Sequence, residues 1–173
     1  MAPHAPPGIH VRPAVEADAI ALASIYNHYI RHTLVTFEEE DVSPATMAER
    51  VRDVVASGLP YLVAEQHGDV VGYAYASKWK PRFGYRFSAE VSVYLAHDQV
   101  GRGLGRLLYE HLLPELEARG FRTAVGGIAL PNEASVALHE KLGFEKVAEF
   151  REIGIKFGEW TNVGYWQRIF PRG

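Results

Sequence analysis

A strand that runs directly into alternate glycines and then a leucine-rich helix constrains this chain more than any other feature. From Arg86 to Leu95 apolar and polar residues alternate, with Phe87, Ala89, Val91, Val93 and Leu95 on one face and Ser88, Glu90, Ser92 and Tyr94 on the other. The segment Gln99-Val100-Gly101-Arg102-Gly103-Leu104-Gly105-Arg106 follows, and helical spacing then continues from Leu104 to Arg119, stopping at Gly120. Alternate glycines let a backbone turn through positive φ and approach a ligand closely. The start of the helix behind them offers unpaired N–H groups and a positive dipole end, a seat suited to phosphate. Arg102 and Arg106 add guanidinium groups that match phosphate geometry. A P-loop is excluded because Gly-Lys-Ser/Thr is missing, and a dinucleotide fingerprint because Arg106 stands where its third glycine belongs. An ordinary glycine turn entering a helix remains the alternative.

The rest of the chain alternates helix and strand signals from about residue 9 to residue 170, which predicts an α/β fold with a mixed sheet. Ile9–Pro13 reads as a strand, and Leu22, Ile25, Tyr26 and Tyr29 as the apolar stripe of a helix. Ser43 and Pro44 begin a second helix, with Met47, Val51, Val54 and Val55 as its stripe and Gly58 as its end. Tyr61–Glu65 and Val70–Lys78 form a hairpin around His67-Gly68-Asp69. After the glycine-loop helix come a strand at Thr123–Ala129, a helix at Asn132–Leu142 ended by Gly143, and closing strands at Phe144–Arg151 and Gly164–Ile169. The expected order is β-α-α-β-β-β-α-β-α-β-β. Residues 1–8, rich in proline, read as a flexible lead, and 9–173 as a single domain.

Composition narrows the chemistry. There is no cysteine, so disulfides, thiolate zinc sites and cysteine-linked acyl intermediates are excluded. The formal net charge of -3 argues against a dedicated nucleic-acid binder. The first ten residues lack the basic start and apolar run of a signal peptide, and no apolar stretch is long enough to cross a bilayer, so a cytoplasmic protein is expected. Glu90, on the polar face of a strand expected mid-sheet, is either a structural hydrogen-bond acceptor or a functional base beside the loop. His28 and His32 have metal-ligand spacing, but Tyr29 stands where a zinc-protease motif carries Glu and no third ligand is evident. A helix surface or substrate wall is expected there, and no metal.

The strand EVSVYLAHDQ, the loop VGRGLGR, the strand RTAVGGIA and the segment LPNEASVALHEKLGF together resemble the GNAT superfamily of acetyl-CoA-dependent N-acetyltransferases. IYNHYI, LVTFEE, YAYASKWKPRFGYRFSAEVSVYL and KFGEWTNVGYWQ are similar to its phosphinothricin and methionine sulfoximine acetyltransferase branch. The resemblance implies direct transfer of acetyl from CoA to a primary amine, in keeping with the missing cysteine. It implies that backbone groups of Val93, Tyr94 and Leu95 hold the pantetheine, with Tyr94 N–H polarising the thioester carbonyl. Gly101, Arg102, Gly103, Leu104, Gly105 and Arg106 would hold the pyrophosphate, and Asn132 would contact the pantetheine. Val100 departs from the family pattern, which has Gln or Arg there; a modest effect on cofactor affinity is expected. Glu90 resembles the branch's general base. His139 would protonate the CoA thiolate, or hydrogen-bond to the cofactor or to Glu90.

For the acceptor, Lys80, Pro81, Arg82, Tyr85 and Arg86 in WKPRFGYR, together with Ser92, are the expected contacts. Arg86 is the preferred partner for a carboxylate, and Phe37 is placed to cover the bound side chain. The cationic cluster favours a small amino-acid-like acceptor over a polyamine, which calls for acidic walls. Acetylation of another small amine or a protein N-terminus, and a non-catalytic CoA-binding module, are the competing readings. The aromatic segment FGEWTNVGYWQ either pairs with a second subunit or lines the acceptor site, and the branch implies a homodimer.

Overall fold

The computed structural model describes residues 6–172. Of the lead expected at 1–8, residues 1–5 lie outside the described residues, while Ile9 N–H donates to Pro6 C=O across a turn. The elements are β1 (Ile9–Pro13), α1 (Ala19–His32), α2 (Pro44–Ala56), β2 (Tyr61–Gln66), β3 (Asp69–Lys78), β4 (Ser88–Leu95), α3 (Leu104–Ala118), β5 (Thr123–Leu130), α4 (Glu133–Lys141), β6 (Glu145–Lys156) and β7 (Glu159–Ile169). They build one seven-stranded sheet in the order β1-β2-β3-β4-β5-β7-β6. Every neighbouring pair is antiparallel except β4 with β5.

Period-two alternation sorts the strand residues into two cores. On one face Leu62, Ala64, Ala74, Ala76, Ala89 and Val91 meet α3. There Leu104, Leu108, Leu112 and Leu116, one turn apart, are all fully buried, and each contributes roughly 2–3 kcal/mol. On the other face Tyr61, Val63 and Tyr73 meet α1 and α2. Ser43 caps α2 as expected, its hydroxyl accepting from Thr46 N–H at 3.1 Å, and Pro44 opens the helix. Helices α1 and α2 pack chiefly on β2, β3 and β4. Glu90 and Ser92 therefore sit where that helical cover ends.

The largest departure from the sequence reading is at the C-terminal end. β6 and β7 run on to Lys156 and start at Glu159, so residues 152–163, left unassigned above, belong to a long hairpin. Its turn is Phe157-Gly158, with φ of 52° and 77°, the left-handed pair of a type I′ turn. Phenylalanine at the first of these positions gives no turn signal, and two register shifts in β6 break the alternation that would have marked a strand.

Candidate active site

The parallel pair β4–β5 is short: Ser88, Ala89 and Glu90 register with Thr123, Ala124 and Val125, and beyond Glu90 no pairing continues. β4 nevertheless runs on to Leu95 and β5 to Leu130. The two strands splay into a wedge. Trp79 N–H donates to Ser88 C=O and Ala96 N–H to Val71 C=O, so even-numbered residues of β4 bond to β3 and odd-numbered ones face β5. Val93 N–H and C=O therefore point into the wedge with no strand opposite. Leu95 also faces that way, but its C=O accepts from the Tyr29 hydroxyl at 2.7 Å and its N–H donates to the same oxygen at 3.3 Å. Tyr94 is a correction: its N–H is committed to β3 opposite Tyr73, and only its side chain serves the site, packed against Tyr26 and Tyr29. Sequence alternation placed Tyr94 on the correct face. Backbone parity, which decides what its amide does, comes only from the β3 pairing.

At the outer end of the wedge, Gly101 and Gly103 have φ of 80° and 79°, a conformation other residues adopt only with strain. Gly103 is the N-cap of α3 and no side chain caps the helix, leaving the first amides, including Leu104, Gly105 and Arg106, free for an anion. Gly105 packs closely: a Cβ there would lie 3.2 Å from Leu138 Cδ2, which would have to give by a few tenths of an ångström, and 3.9 Å from Val93 Cγ2. Arg102 hydrogen-bonds to Gln99 and Gln66, and Arg106 Nε donates to Glu110 at 2.7 Å. These donors, together with the free Val93 backbone, fit a pantetheine chain ending in a pyrophosphate. The Asn132 side chain caps α4 by accepting from Ser135 N–H at 3.1 Å, and Asn132 still lines the cleft with Val93, Ser135 and His139.

Glu90 lies on the same strand face as Ser88 and Ser92. Ser92 lines the wedge cleft, with Val35 and Tyr109 also in its wall. Ser88 lines an aromatic cavity of about 350 Å³ with Trp79, Tyr85, Val125, Phe150 and Tyr165. Glu90 thus stands between the two. Its carboxylate lies over Gly127, where a Cβ would come within 3.3 Å of Oε1 and 3.1 Å of Tyr165 Cε1. No protein group donates a hydrogen bond to it among the described residues. Burial raises its carboxyl above the usual range, and the positive charge of Lys80 opposes part of that rise.

His139 is buried against β5, its ring edge-on to Tyr109 and Phe144. Nδ1 lies 2.7 Å from Ser135 C=O, which only an N–H can satisfy, so Nδ1 carries the proton and Nε2 faces the Tyr109 hydroxyl at 3.4 Å. Burial lowers its pKa and favours the neutral ring. A neutral imidazole with its one N–H bonded to Ser135 has no proton to release, so this geometry fits positioning better than donation.

The remaining candidates divide. Tyr85 lines the aromatic cavity and Lys80 acts on Glu90. Arg86 does not reach this group: its guanidinium stacks over Phe83 at 4.1 Å and Phe87 at 4.6 Å and donates to Phe83 C=O. Pro81 and Arg82 are exposed in the preceding turn. Phe37 packs on Gly154 of β6. His28 stacks on His97, ring centres 4.5 Å apart and planes 14° from parallel, so their lone pairs do not converge on one ion. No group of metal-ligating side chains occurs among the described residues. Tyr109, Ser135 and Tyr165 were not singled out from sequence; the Gly126-Gly127 pair inside a strand was the signal for a close approach there.

A splayed parallel pair, a glycine loop opening a helix at its outer end and a half-buried free carboxylate where the splay begins define an acyl-CoA-dependent transferase site. The chain belongs to the GNAT acetyltransferase family, matching its acetyltransferase (GNAT) domain over residues 11–163. It is an acetyl-CoA-dependent N-acetyltransferase. It is 44% identical over 172 residues to a phosphinothricin N-acetyltransferase of Streptomyces viridochromogenes, covering 98% of this chain and 92% of that one. It is 36% identical over 157 residues to a methionine sulfoximine/methionine sulfone acetyltransferase of Salmonella typhimurium, covering 91% and 92%. A Salmonella typhimurium structure with its cofactor acetyl-CoA superimposes with a TM-score of 0.93 at 34% identity, covering 96% of each chain. A Sinorhizobium meliloti phosphinothricin acetyltransferase in complex with acetyl-CoA gives 0.90 at 37% identity, covering 94% of this chain and 88% of that one. No helix among the described residues is long and apolar enough to cross a membrane.

Proposed function

We propose that this enzyme acetylates the amino group of a small amino-acid-like acceptor, of the phosphinothricin or methionine sulfoximine type, by direct attack with Glu90 as general base. The observation that carries the reading is the free, half-buried Glu90 carboxylate between the wedge and the aromatic cavity. The relatives' acceptors support the substrate class. Bound acetyl-CoA supplies the thioester. Glu90 removes a proton from the acceptor ammonium, directly or through one water, and its raised pKa brings it closer to the task. Val93 N–H, which has no strand partner, is the amide available to polarise the thioester carbonyl. The new N–C bond forms as C–S breaks, the acylated nitrogen gives up its second proton through solvent to the departing thiolate, and Glu90 then returns the first proton to solvent. With no cysteine to hold an acyl group, no covalent enzyme intermediate is needed. Lys80 is the cation placed to meet the acceptor's acidic groups. The domain that does this spans 9–173 and works in the cytoplasm.

Thiol release from acetyl-CoA, measured against a panel of amino acids, polyamines and peptides, tests the substrate class. Saturable turnover is expected with phosphinothricin or methionine sulfoximine. Turnover with polyamines or peptides alone overturns the reading.

The assembly is a homodimer in this reading. β6 is an edge strand whose Val147, Phe150, Ile153 and Ile155 are exposed, as is Phe157 in the turn beyond it, a surface that leaves an open edge and apolar side chains for a second copy. Sedimentation at micromolar concentration is expected to give twice the chain mass, and a monomer mass would remove the dimer.

A further inference from the structure

Lys156, the last residue of β6, is fully buried, which is rare for an ammonium group. Its Nζ donates to Thr33 C=O at 2.7 Å, Thr36 C=O at 2.8 Å and Tyr29 C=O at 3.3 Å. Those three bonds use all its protons. Tyr29 lies in the last turn of α1 and Thr33 is its C-cap, at the negative end of the helix dipole; Tyr29 C=O also accepts from Thr33 N–H, while Thr33 C=O lies beyond the helix. Two further contacts join the same segments. The Phe37 ring lies on Gly154, where a Cβ would be 2.7 Å from Phe37 Cε1, and Phe157 N–H donates to Glu39 Oε1 at 3.2 Å. From the opposite side, Arg50 grips Glu38 at 2.6 and 3.0 Å, and the Tyr26 hydroxyl bonds to Thr36 Oγ1 at 2.7 Å. Val35, within this clamped stretch, forms part of the cleft wall beside Ser92 and Tyr94.

We propose that Lys156 is a positioning residue for the acceptor: by capping α1 from the β6–β7 hairpin it fixes residues 33–39, so that Val35 and Phe37 form a rigid wall over the Glu90 face. The acceptor class rests on the function proposed above, but the positioning role does not depend on which amine is used. Gly154 is the second part of the same device, because only a residue without Cβ lets the Phe37 ring settle on β6. The main-chain grip proposed for the donor, at Val93 and along the α3 loop, makes none of these contacts, although Val35 also borders the wedge cleft. A loosened wall is therefore felt more by the acceptor than by the donor.

The test uses the full chain and whichever amine the wild type turns over. Lys156→Met keeps the side-chain length and removes every donor; Gly154→Ala keeps Lys156 and displaces Phe37. Both variants are expected to raise the acceptor KM ~10-fold or more, as small misplacements do, with the acetyl-CoA KM within about twofold of wild type. Hydrogen exchange of the amides of 33–39 is expected to speed up in Lys156→Met while β4 amides stay protected. Equal rises in both KM values, an unchanged acceptor KM in both folded variants, or unchanged exchange at 33–39 would each overturn the proposal. If Lys156→Met fails to fold, Gly154→Ala decides alone by its ratio of KM values. Wild-type turnover of amino acids reports separately on the acceptor class.

Discussion

Glu90→Gln is expected to lower kcat/KM at neutral pH by ~10²–10⁴-fold, the usual contribution of a positioned base. Gln fills the same space over Gly127 and beside Tyr165 but accepts no proton. The wild-type rate is expected to fall as pH drops through the Glu90 pKa, which burial has raised. That acid limb therefore lies above the ordinary carboxylate range, near 4. In the variant the limb is replaced by a steady rise with pH, because only spontaneous deprotonation of the amine then supplies the nucleophile. Stability moves the other way. A carboxyl whose folded pKa lies above its unfolded value stabilises the native state at low pH, and that contribution is lost as pH rises through the folded pKa. At neutral pH the native charged Glu90 is thus a cost, and Glu90→Gln is expected to leave Tm unchanged or raise it. Wild-type rates in a variant of unchanged Tm would remove Glu90 from the chemistry. A large fall in Tm would make it a structural acceptor instead.

Gly126→Ala is expected to destabilise the fold by about 1–3 kcal/mol, the usual cost of overpacking. A Cβ at Gly126 would lie 2.6 Å from His139 Cδ2. The ring has little room to retreat, being held by Ser135 C=O and flanked by Tyr109 and Phe144. Urea denaturation measures the loss. In His139→Ala the space is open, so adding Gly126→Ala should cost clearly less than it does alone, a coupling that identifies direct contact. Additive effects would mean that the ring does not rest on Gly126.

The full order of elements, β6 and β7 included, was readable from sequence because most elements carry a local marker. Ser43 and Pro44 open α2, Gly120 and Gly143 follow α3 and α4, and clean alternation marks β4. What went unread is the hairpin end of β6 and β7, residues 152–163, since Phe157 occupies a left-handed turn position and bulges disrupt the pattern. In the candidate site, residue type and spacing singled out Glu90 and the glycine loop, which the structure sets on β4 and just beyond its end. They did not separate Lys80 from Arg86, because the destination of a long cationic side chain depends on which aromatic ring lies beside it. Arg86 stacks on Phe83 and Phe87, while the charge of Lys80 is felt at Glu90. The partnership of Lys156 with the end of α1 spans over a hundred residues of sequence and leaves no local trace.

The splayed β4–β5 pair has an evolutionary consequence. In the proposed reading the grip on the acyl donor is made largely of main-chain amides at Val93 and along the glycine loop, which most substitutions leave in place. The opposite side of Glu90 is walled by side chains: Trp79, Tyr85, Phe150 and Tyr165. Mutational drift can therefore remodel the acceptor cavity one residue at a time while the donor half goes on working. A scaffold divided in this way can move between amine substrates without passing through a form that has lost its acetyl source.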